Sequence, residues 1–187
     1  MQGKKLFVFS GASGVGKSTV LSEVLKARPG LAFSVSATTR QPREGEIDGV
    51  NYYFVTPEVF EQMIDRGEFL EYNRHNDNYY GTPWPQLAEK LETSCAVLDI
   101  EPNGAFNVKA VRPDAVLIFI APPSMEALKD RLQGRGDTSE KQMRLRLDRA
   151  DWEMDQSKKY DYVVINDQVE ACAEKILHII AASCGEE

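Results

Sequence analysis

A glycine-rich segment between two apolar segments is the feature that constrains this chain most. Residues 11–18 read G-A-S-G-V-G-K-S and match the pattern G-x-x-x-x-G-K-[ST] in full. The apolar run Leu6–Phe9 precedes it, and residues 18–27 carry apolar side chains at helical spacing. This order predicts a strand, a loop and a helix, in which backbone N–H groups, the helix N-terminus and Lys17 surround phosphate oxygens. A merely flexible glycine turn is the alternative, and its flanking segments disfavour it.

Three later apolar runs predict strands that are buried on both faces of a parallel sheet. These runs are residues 95–100, 115–120 and 162–165, and helical patterns separate them. Residues 169–183 form one more amphipathic pattern of helical period. The alternation predicts an α/β fold with a central parallel sheet flanked by helices.

Residues 33–90 break this alternation. Thr56 and Pro57 predict the start of a helix that ends at Gly67, and we expect Tyr53 and Phe54 in the core. Short strand-like pieces occupy residues 33–36, 52–55, 69–72 and 79–81. We interpret the segment as a small mixed α/β insertion within a single domain, residues 1–187, whose core is residues 1–32 and 91–187.

Composition and charge exclude several classes of protein. With 187 residues and 42% apolar content, the chain can bury one substantial core. Its formal net charge of -7 argues against a generic nucleic-acid binder. The cysteines Cys95, Cys172 and Cys184 form no C-x-x-C pair, which favours reduced structural thiols over a metal site. The apolar runs are too short for a secretion signal or a membrane span, so we expect a cytoplasmic protein that binds neither nucleic acid nor membrane.

A second group of motifs is needed, because a phosphate-binding loop alone indicates only a nucleotide phosphate. Residues 34–55 read S-V-S-A-T-T-R-Q-P-R-E-G-E-I-D-G-V-N-Y-Y-F-V. They are followed in order by E-F-L-E-Y, N-Y-Y-G-T-P, V-L-D-I-E, F-I-A-P-P-S, L-K-D-R-L-Q-G-R-G and Y-D-Y-V-V-I-N-D. These segments, over nearly the whole chain, closely resemble the guanylate kinases. The resemblance implies a P-loop kinase fold, with residues 33–90 as the GMP-binding insertion and a helical lid near residues 135–151.

The resemblance also implies the substrates, ATP and GMP, and the transfer of a γ-phosphoryl group between them. ATP is expected on the loop and the start of the helix, at Gly11, Ala12, Ser13, Gly14, Val15, Gly16, Lys17, Ser18 and Thr19. The GMP phosphate is expected at Arg40, Arg43, Tyr52 and Tyr80, and the guanine at Ser36, Glu71, Thr82 and Glu101.

These assignments fit the chemistry of GMP. Two guanidinium groups suit a phosphate dianion. A carboxylate at Glu71 can accept from guanine N1–H and N2–H together, whereas adenine presents an acceptor at N1. Taken without the resemblance, Tyr79 and Tyr80 would be strand packing, and Arg40 and Arg43 would be solvated loop charges.

Oxygen donors and arginines are expected at the transferring phosphate. Asp99 ends a predicted strand and is placed to hold Mg²⁺ through its water shell, with Ser18 as a second donor; an ordinary strand-end carboxylate is the alternative for Asp99. The resemblance implies that Arg131, Arg135 and Arg146 lie over the phosphates when the lid closes and act as catalytic groups beside Lys17. It does not assign a role to Arg149. Solvated charged helix faces are the alternative for these arginines.

Two further segments carry open interpretations. Asn166 and Asp167 match a family segment near the adenine of ATP, and a polar turn is an equal alternative. After residues 98–100 the family continues Asp-x-Gln-Gly, whereas this chain reads E-P-N-G. Glu101 is one methylene longer than Asp, and Pro102 biases it away from helix. We therefore expect Glu101 still to meet the guanine amino group. Asn103 is one methylene shorter than the Gln of the family. The alternative is that Glu101 has turned to solvent.

Two other classes of protein remain as alternatives. The first is a binding module of this fold without catalysis, but such modules typically lose the phosphate-binding loop that this chain retains. The second is another P-loop nucleotide enzyme, which would not account for residues 33–90.

A GMP phosphate is largely ionised at neutral pH, since its second pKa is about 6, so the expected reaction requires no strong general base. The sequence leaves the oligomeric state open.

Overall fold

The computed structural model describes residues 4–75, 77–133 and 140–185, with the backbone alone for residues 140–142. Its strands are β1 (Leu6–Gly11), β2 (Ala32–Phe33), β3 (Ala37–Thr38), β4 (Tyr53–Phe54), β5 (Phe69–His75), β6 (Asn78–Pro83), β7 (Ala96–Asp99), β8 (Val116–Ala121) and β9 (Tyr162–Ile165). Its helices are α1 (Lys17–Ala27), α2 (Pro57–Asp65), α3 (Trp84–Thr93), α4 (Pro102–Val111), α5 (Met125–Gln133), α6 (Glu140–Gln156) and α7 (Val169–Cys184). Within these ranges no helix is long and apolar enough to cross a membrane.

The strands form two sheets. The five-stranded sheet has the order β2-β7-β1-β8-β9, with β2 parallel to β7 and β8 parallel to β9. The predicted α/β fold with a central parallel sheet flanked by helices is confirmed. The four-stranded sheet has the order β4-β3-β6-β5 and is mixed, because β6 runs antiparallel to β3 and β5 while β3 and β4 are parallel.

Backbone contacts divide the chain into two compact units. One contains residues 1–8 and 30–115, and its buried side chains include Phe60, Leu87 and Leu98. The other contains residues 9–29 and 116–187, and buries residues of α1, β8 and α7, among them Val20 and Ile176. The GMP-site residues predicted from the sequence lie in the first unit, and the phosphate-binding loop lies in the second.

Several helix starts follow from local sequence. Thr56 accepts a hydrogen bond at Oγ1 from the N–H of Val59 (3.3 Å) and Pro57 is the first residue of α2, as predicted. Gly67, with φ 65°, follows the end of that helix. Ser124 accepts a hydrogen bond at Oγ from the N–H of Ala127 (3.1 Å) where α5 begins.

Two strand predictions differ from the structure. The strand expected at residues 33–36 is not formed, because residues 34–36 connect β2, which ends at Phe33 in the five-stranded sheet, to β3, which begins at Ala37 in the four-stranded sheet. β9 is a strand, but it is not buried on both faces, since Tyr162, Val163 and Ile165 are each more than two-fifths exposed. The reason is its place at the edge of the sheet beside β8 alone, a position that an apolar run does not encode.

The four-stranded sheet packs against α2 through a stack of aromatic rings. The ring of Phe60 lies 4.4 Å from that of Phe69 and 5.1 Å from that of Tyr79, measured between centroids. Gly81 lies beneath this stack: a Cβ there would be 2.9 Å from Phe69 Cδ1 and 3.0 Å from Phe60 Cζ.

We therefore expect Gly81→Ala to lower the free energy of unfolding by about 1–3 kcal/mol, because the rings must move to admit one methyl group. Gly30→Ala is the matched control. A Cβ at Gly30 meets nothing within 4 Å, so that variant should stay within about 1 kcal/mol of the parent. Urea unfolding of the parent protein, Gly81→Ala and Gly30→Ala measures the three free energies of unfolding. Equal effects of the two substitutions would contradict the packing argument.

Candidate active site

The phosphate-binding loop has the backbone that its sequence predicts. Gly14 and Gly16 have φ of 87° and 91°, a left-handed conformation that side chains disfavour, and Gly16 is the residue before α1. The N–H of Val15 donates to the carbonyl of Ala12 (3.0 Å) to form a turn. A Cβ at Gly11 would lie 2.6 Å from the carbonyl oxygen of Ile120. The glycines are thus required by turn geometry and close packing, which disfavours the flexible-turn alternative.

A cleft of about 330 Å³ adjoins this loop within the same unit. It is lined by Gly14, Val15, Gly16, Thr19, Arg131, Asn166, Asp167 and Val169. The volume is that of a small-ligand site. Loop residues and the Asn166–Asp167 segment, which the resemblance places near adenine, therefore share one cleft.

Two of the lining side chains hold the loop directly. Asn166 is buried and donates from Nδ2 to the carbonyl of Val15 (2.8 Å). Arg131 donates from Nη1 to the same carbonyl (3.2 Å) and from Nη2 to the carbonyl of Asp167 (3.4 Å). Arg131 thus lies beside the phosphate-binding loop, and its catalytic role stays a prediction.

The other predicted catalytic and metal residues are placed individually. Lys17 is half-buried and Ser18 exposed at the start of α1, and Asp99 is half-buried at the carboxyl end of β7. Arg146 is exposed on α6. Arg135 lies outside the described residues. A hydroxyl and a carboxylate supply the hard oxygen atoms that Mg²⁺ prefers. A metal ion that is held mainly by substrate phosphates and water needs only a few protein ligands such as these.

The residues predicted to read guanine meet on neighbouring strands. Glu71 of β5 is 6% exposed and accepts a hydrogen bond at Oε1 from Thr82 Oγ1 of β6 (2.8 Å). Ser36 is also buried and lies directly before β3, whose Ala37 pairs with Gly81, the neighbour of Thr82 in β6. The carboxylate of Glu71 and the hydroxyl of Thr82 thus meet in a buried place, where each polar group requires a partner.

Burial changes the ionisation of Glu71. It raises the pKa of this carboxyl to about 7; the hydrogen bond from Thr82 opposes the shift and the charge of Glu101 adds to it. Glu101 is half-buried, is extended (φ -75°, ψ 161°) and immediately precedes α4, while Asn103 is exposed. The charge of Glu101 thus acts on Glu71, the carboxyl that is predicted to read the base.

A second cluster surrounds the guanidinium of Arg40. Its Cζ lies 5.5 Å from the centroid of the Tyr52 ring and 5.7 Å from that of Phe54. The rings of Tyr52 and Tyr80 are 6.1 Å apart. The hydrogen bond with Glu46 is the main reason that the pKa of Arg40 is raised, and one with Tyr80 adds to the shift. Phe54, which sequence reasoning placed in the core, is half-buried beside this cation.

Sequence reasoning missed Glu46, which orients the cluster. Its two carboxylate oxygens accept from Nη1 and Nη2 of Arg40, both at 2.9 Å, and Oε2 also accepts from the N–H of Arg43 (2.7 Å). These hydrogen bonds, from Arg40 foremost, hold the pKa of Glu46 at about 2. Nη1 of Arg40 also donates to the carbonyl of Gln41 (2.7 Å). The side chain of Arg43 is exposed.

Comparison with known proteins agrees with this geometry. The sequence profile described as guanylate kinase matches residues 3–183. The guanylate kinase of Clostridioides difficile is 48% identical over 178 residues, which cover 95% of this chain and 87% of that protein. That of Streptococcus mutans is 48% identical over 177 residues, covering 94% and 84%.

A solved structure agrees as well. The crystal structure of guanylate kinase from Anaplasma phagocytophilum aligns with a TM-score of 0.78 and 34% identity, and the alignment covers 96% of this chain and 85% of that one. The chain belongs to the guanylate kinase family.

Proposed function

We propose that this protein transfers the γ-phosphoryl group of ATP to GMP, giving ADP and GDP. The observation that carries the proposal is the buried carboxylate of Glu71, paired with Thr82 in the unit that also contains the Arg40 cluster. A buried carboxylate selects a ligand edge with two donors, and guanine has such an edge at N1–H and N2–H. Adenine would leave the carboxylate facing an acceptor.

The Arg40 cluster would take the phosphate of GMP. The guanidinium of Arg40, which Glu46 orients, would donate to the phosphate. The Tyr52 and Tyr80 hydroxyls would add donors, and the exposed guanidinium of Arg43 would supply positive charge. Phosphate at one end and guanine at the other would fix the acceptor oxygen for an in-line reaction.

Catalysis would consist of positioning and charge stabilisation. The loop N–H groups and Lys17 would hold the transferring phosphate, and Arg131, Arg135 and Arg146 would add positive charge as the lid excludes water. Ser18 and Asp99 would hold Mg²⁺ with the ATP phosphates, and the ion would neutralise charge on the phosphate oxygens.

A binding module without catalysis is disfavoured by the intact phosphate-binding loop, and a different nucleotide enzyme by the guanine-reading set. We place the activity in the cytoplasm and expect neither nucleic acid nor membrane as a partner, in keeping with the formal net charge of -7.

A coupled assay for ADP release tests the proposal. With ATP and Mg²⁺ present, GMP should be the preferred acceptor when GMP, AMP, CMP and UMP are compared. Lys17→Ala should lower kcat by about 10²-fold or more, because it removes charge stabilisation from the transition state, and it should remain folded by circular dichroism. ADP release that does not depend on GMP, or a near-normal kcat in the variant, would refute the mechanism.

Proton release on GMP binding should report on Glu71. The guanine donors favour the ionised carboxylate, so binding lowers a pKa that is about 7 in the free protein. At pH 7 GMP binding should release about 0.5 proton from Glu71, and affinity should rise with pH through 7 and level off above it. Calorimetry in buffers of different ionisation enthalpy measures the release. Glu71→Gln is the control that leaves only the proton released by the phosphate, so equal release in both proteins would contradict the assignment.

Glu101→Ala tests whether the longer carboxylate still reads the base. If it pairs with the guanine amino group, kcat/KM for GMP should fall by about tenfold or more, since a hydrogen bond to a charged group contributes about 1.5–3 kcal/mol. The same change removes the charge that raises the pKa of Glu71, so the pH profile should move to lower pH. A fall in kcat/KM under about threefold would place Glu101 toward solvent.

A further inference from the structure

Glu153 on α6 is a buried carboxylate to which the proposed reaction assigns no role. It is 3% exposed and belongs to the same compact unit as the phosphate-binding loop. A carboxylate at such depth is retained only when charged or N–H partners compensate the loss of water.

Both oxygens of Glu153 have such a partner. Oε2 accepts from the backbone N–H of Ser13 at 2.7 Å, and Oε1 accepts from Nε of Arg149 at 3.0 Å. Ser13 and Glu153 are 140 residues apart in the chain. One side chain therefore joins α6 to the middle of the phosphate-binding loop.

The position of this contact in the loop gives it a consequence. Ser13 lies inside the turn that the N–H of Val15 closes on Ala12 (3.0 Å), and it precedes Gly14, whose φ is 87°. Fixing the Ser13 nitrogen therefore restrains the turn that aims the following N–H groups. An uncompensated negative charge there would repel a triphosphate, and the ion pair with Arg149 reduces that repulsion.

We propose that Glu153 is a positioning residue for ATP. Its carboxylate restrains the phosphate-binding loop through the Ser13 N–H, and Arg149 serves to neutralise it rather than to contact phosphate. Arg146 lies on the same helix, seven residues or about 10 Å along the axis from Glu153, so one helix would anchor the loop and carry a lid arginine. The inference rests on the proposed function, because it assumes that the loop holds ATP.

A glutamate is needed at position 153 because two donors, the Ser13 N–H and the Arg149 Nε–H, each require an acceptor. In Glu153→Gln the amide oxygen can accept from Ser13 or from Arg149, but the NH₂ group then faces the other donor. Replacing Arg149 by Met removes one of the two donors. In the double variant the glutamine oxygen can therefore accept from the Ser13 N–H while its NH₂ group no longer faces a donor. Rescue by a second substitution is a result that general destabilisation would not produce.

The experiment compares the wild type, Glu153→Gln, the double variant Glu153→Gln with Arg149→Met, and Asp155→Asn. Asp155 is exposed on the same helix, beyond the predicted lid, so its variant is the control for a lost carboxylate. Calorimetry measures the Kd for Mg-ADP, whose phosphates are expected on the loop, and steady-state assays give KM for ATP and for GMP. In Glu153→Gln we expect Kd for Mg-ADP and KM for ATP to rise about tenfold while KM for GMP changes less than about twofold.

The double variant should return to within about threefold of the wild type, and Asp155→Asn should match the wild type. The inference is overturned if Glu153→Gln binds Mg-ADP as the wild type does, if KM for ATP and GMP rise equally, or if the double variant is no better than the single one. Absence of GDP formation by the wild type would instead refute the proposed function, whereas Mg-ADP binding would still read the loop.

A measurement on the wild type guards against variants that fail to fold. The N–H of Ser13, bonded to a buried carboxylate, should exchange with solvent much more slowly than a free loop amide. Amide exchange followed by NMR on the unliganded protein tests this contact, and exchange at the rate of an unprotected amide would overturn the inference.

Discussion

Phosphate binding in this protein must come from local donors, because the chain carries a formal net charge of -7. Long-range attraction would not gather two nucleotide polyanions. In one unit the proposed donors are the N–H groups of the glycine-rich turn, the N-terminus of α1 and Lys17; in the other we propose the Arg40 guanidinium and nearby tyrosines. Both sets act only if their geometry is fixed before the ligand arrives.

The same device fixes both sets. Glu46 accepts from the guanidinium of Arg40 and from the backbone N–H of Arg43, and Glu153 accepts from the guanidinium of Arg149 and from the backbone N–H of Ser13. In each case a carboxylate joins one arginine to one backbone nitrogen of a binding loop. The charges cancel locally, so the loop gains rigidity without presenting a net negative charge to the phosphate.

Local patterns explain which features could be predicted from the sequence. The strand before the loop, the turn glycines and the cap at Thr56 depend on neighbouring residues, and these appear as expected. The exposure of β9 depends on which strand lies beside it, and the contact of Glu153 with Ser13 spans 140 residues. Such features follow from tertiary packing, which periodicity and motif spacing do not contain.

Gly104 illustrates how close packing against a buried carboxylate overrides a local preference for a better helix former. It lies in the first turn of α4, where glycine costs up to about 1 kcal/mol relative to alanine. A Cβ at this position would lie 2.7 Å from Oε2 of Glu71, inside the contact distance of a buried carboxylate. Asn103 is exposed and Glu101 half-buried, so side chains of other lengths fit at those positions. The family pattern thus changes at 101 and 103 and is kept at 104, where the backbone of α4 passes close to the carboxylate of Glu71.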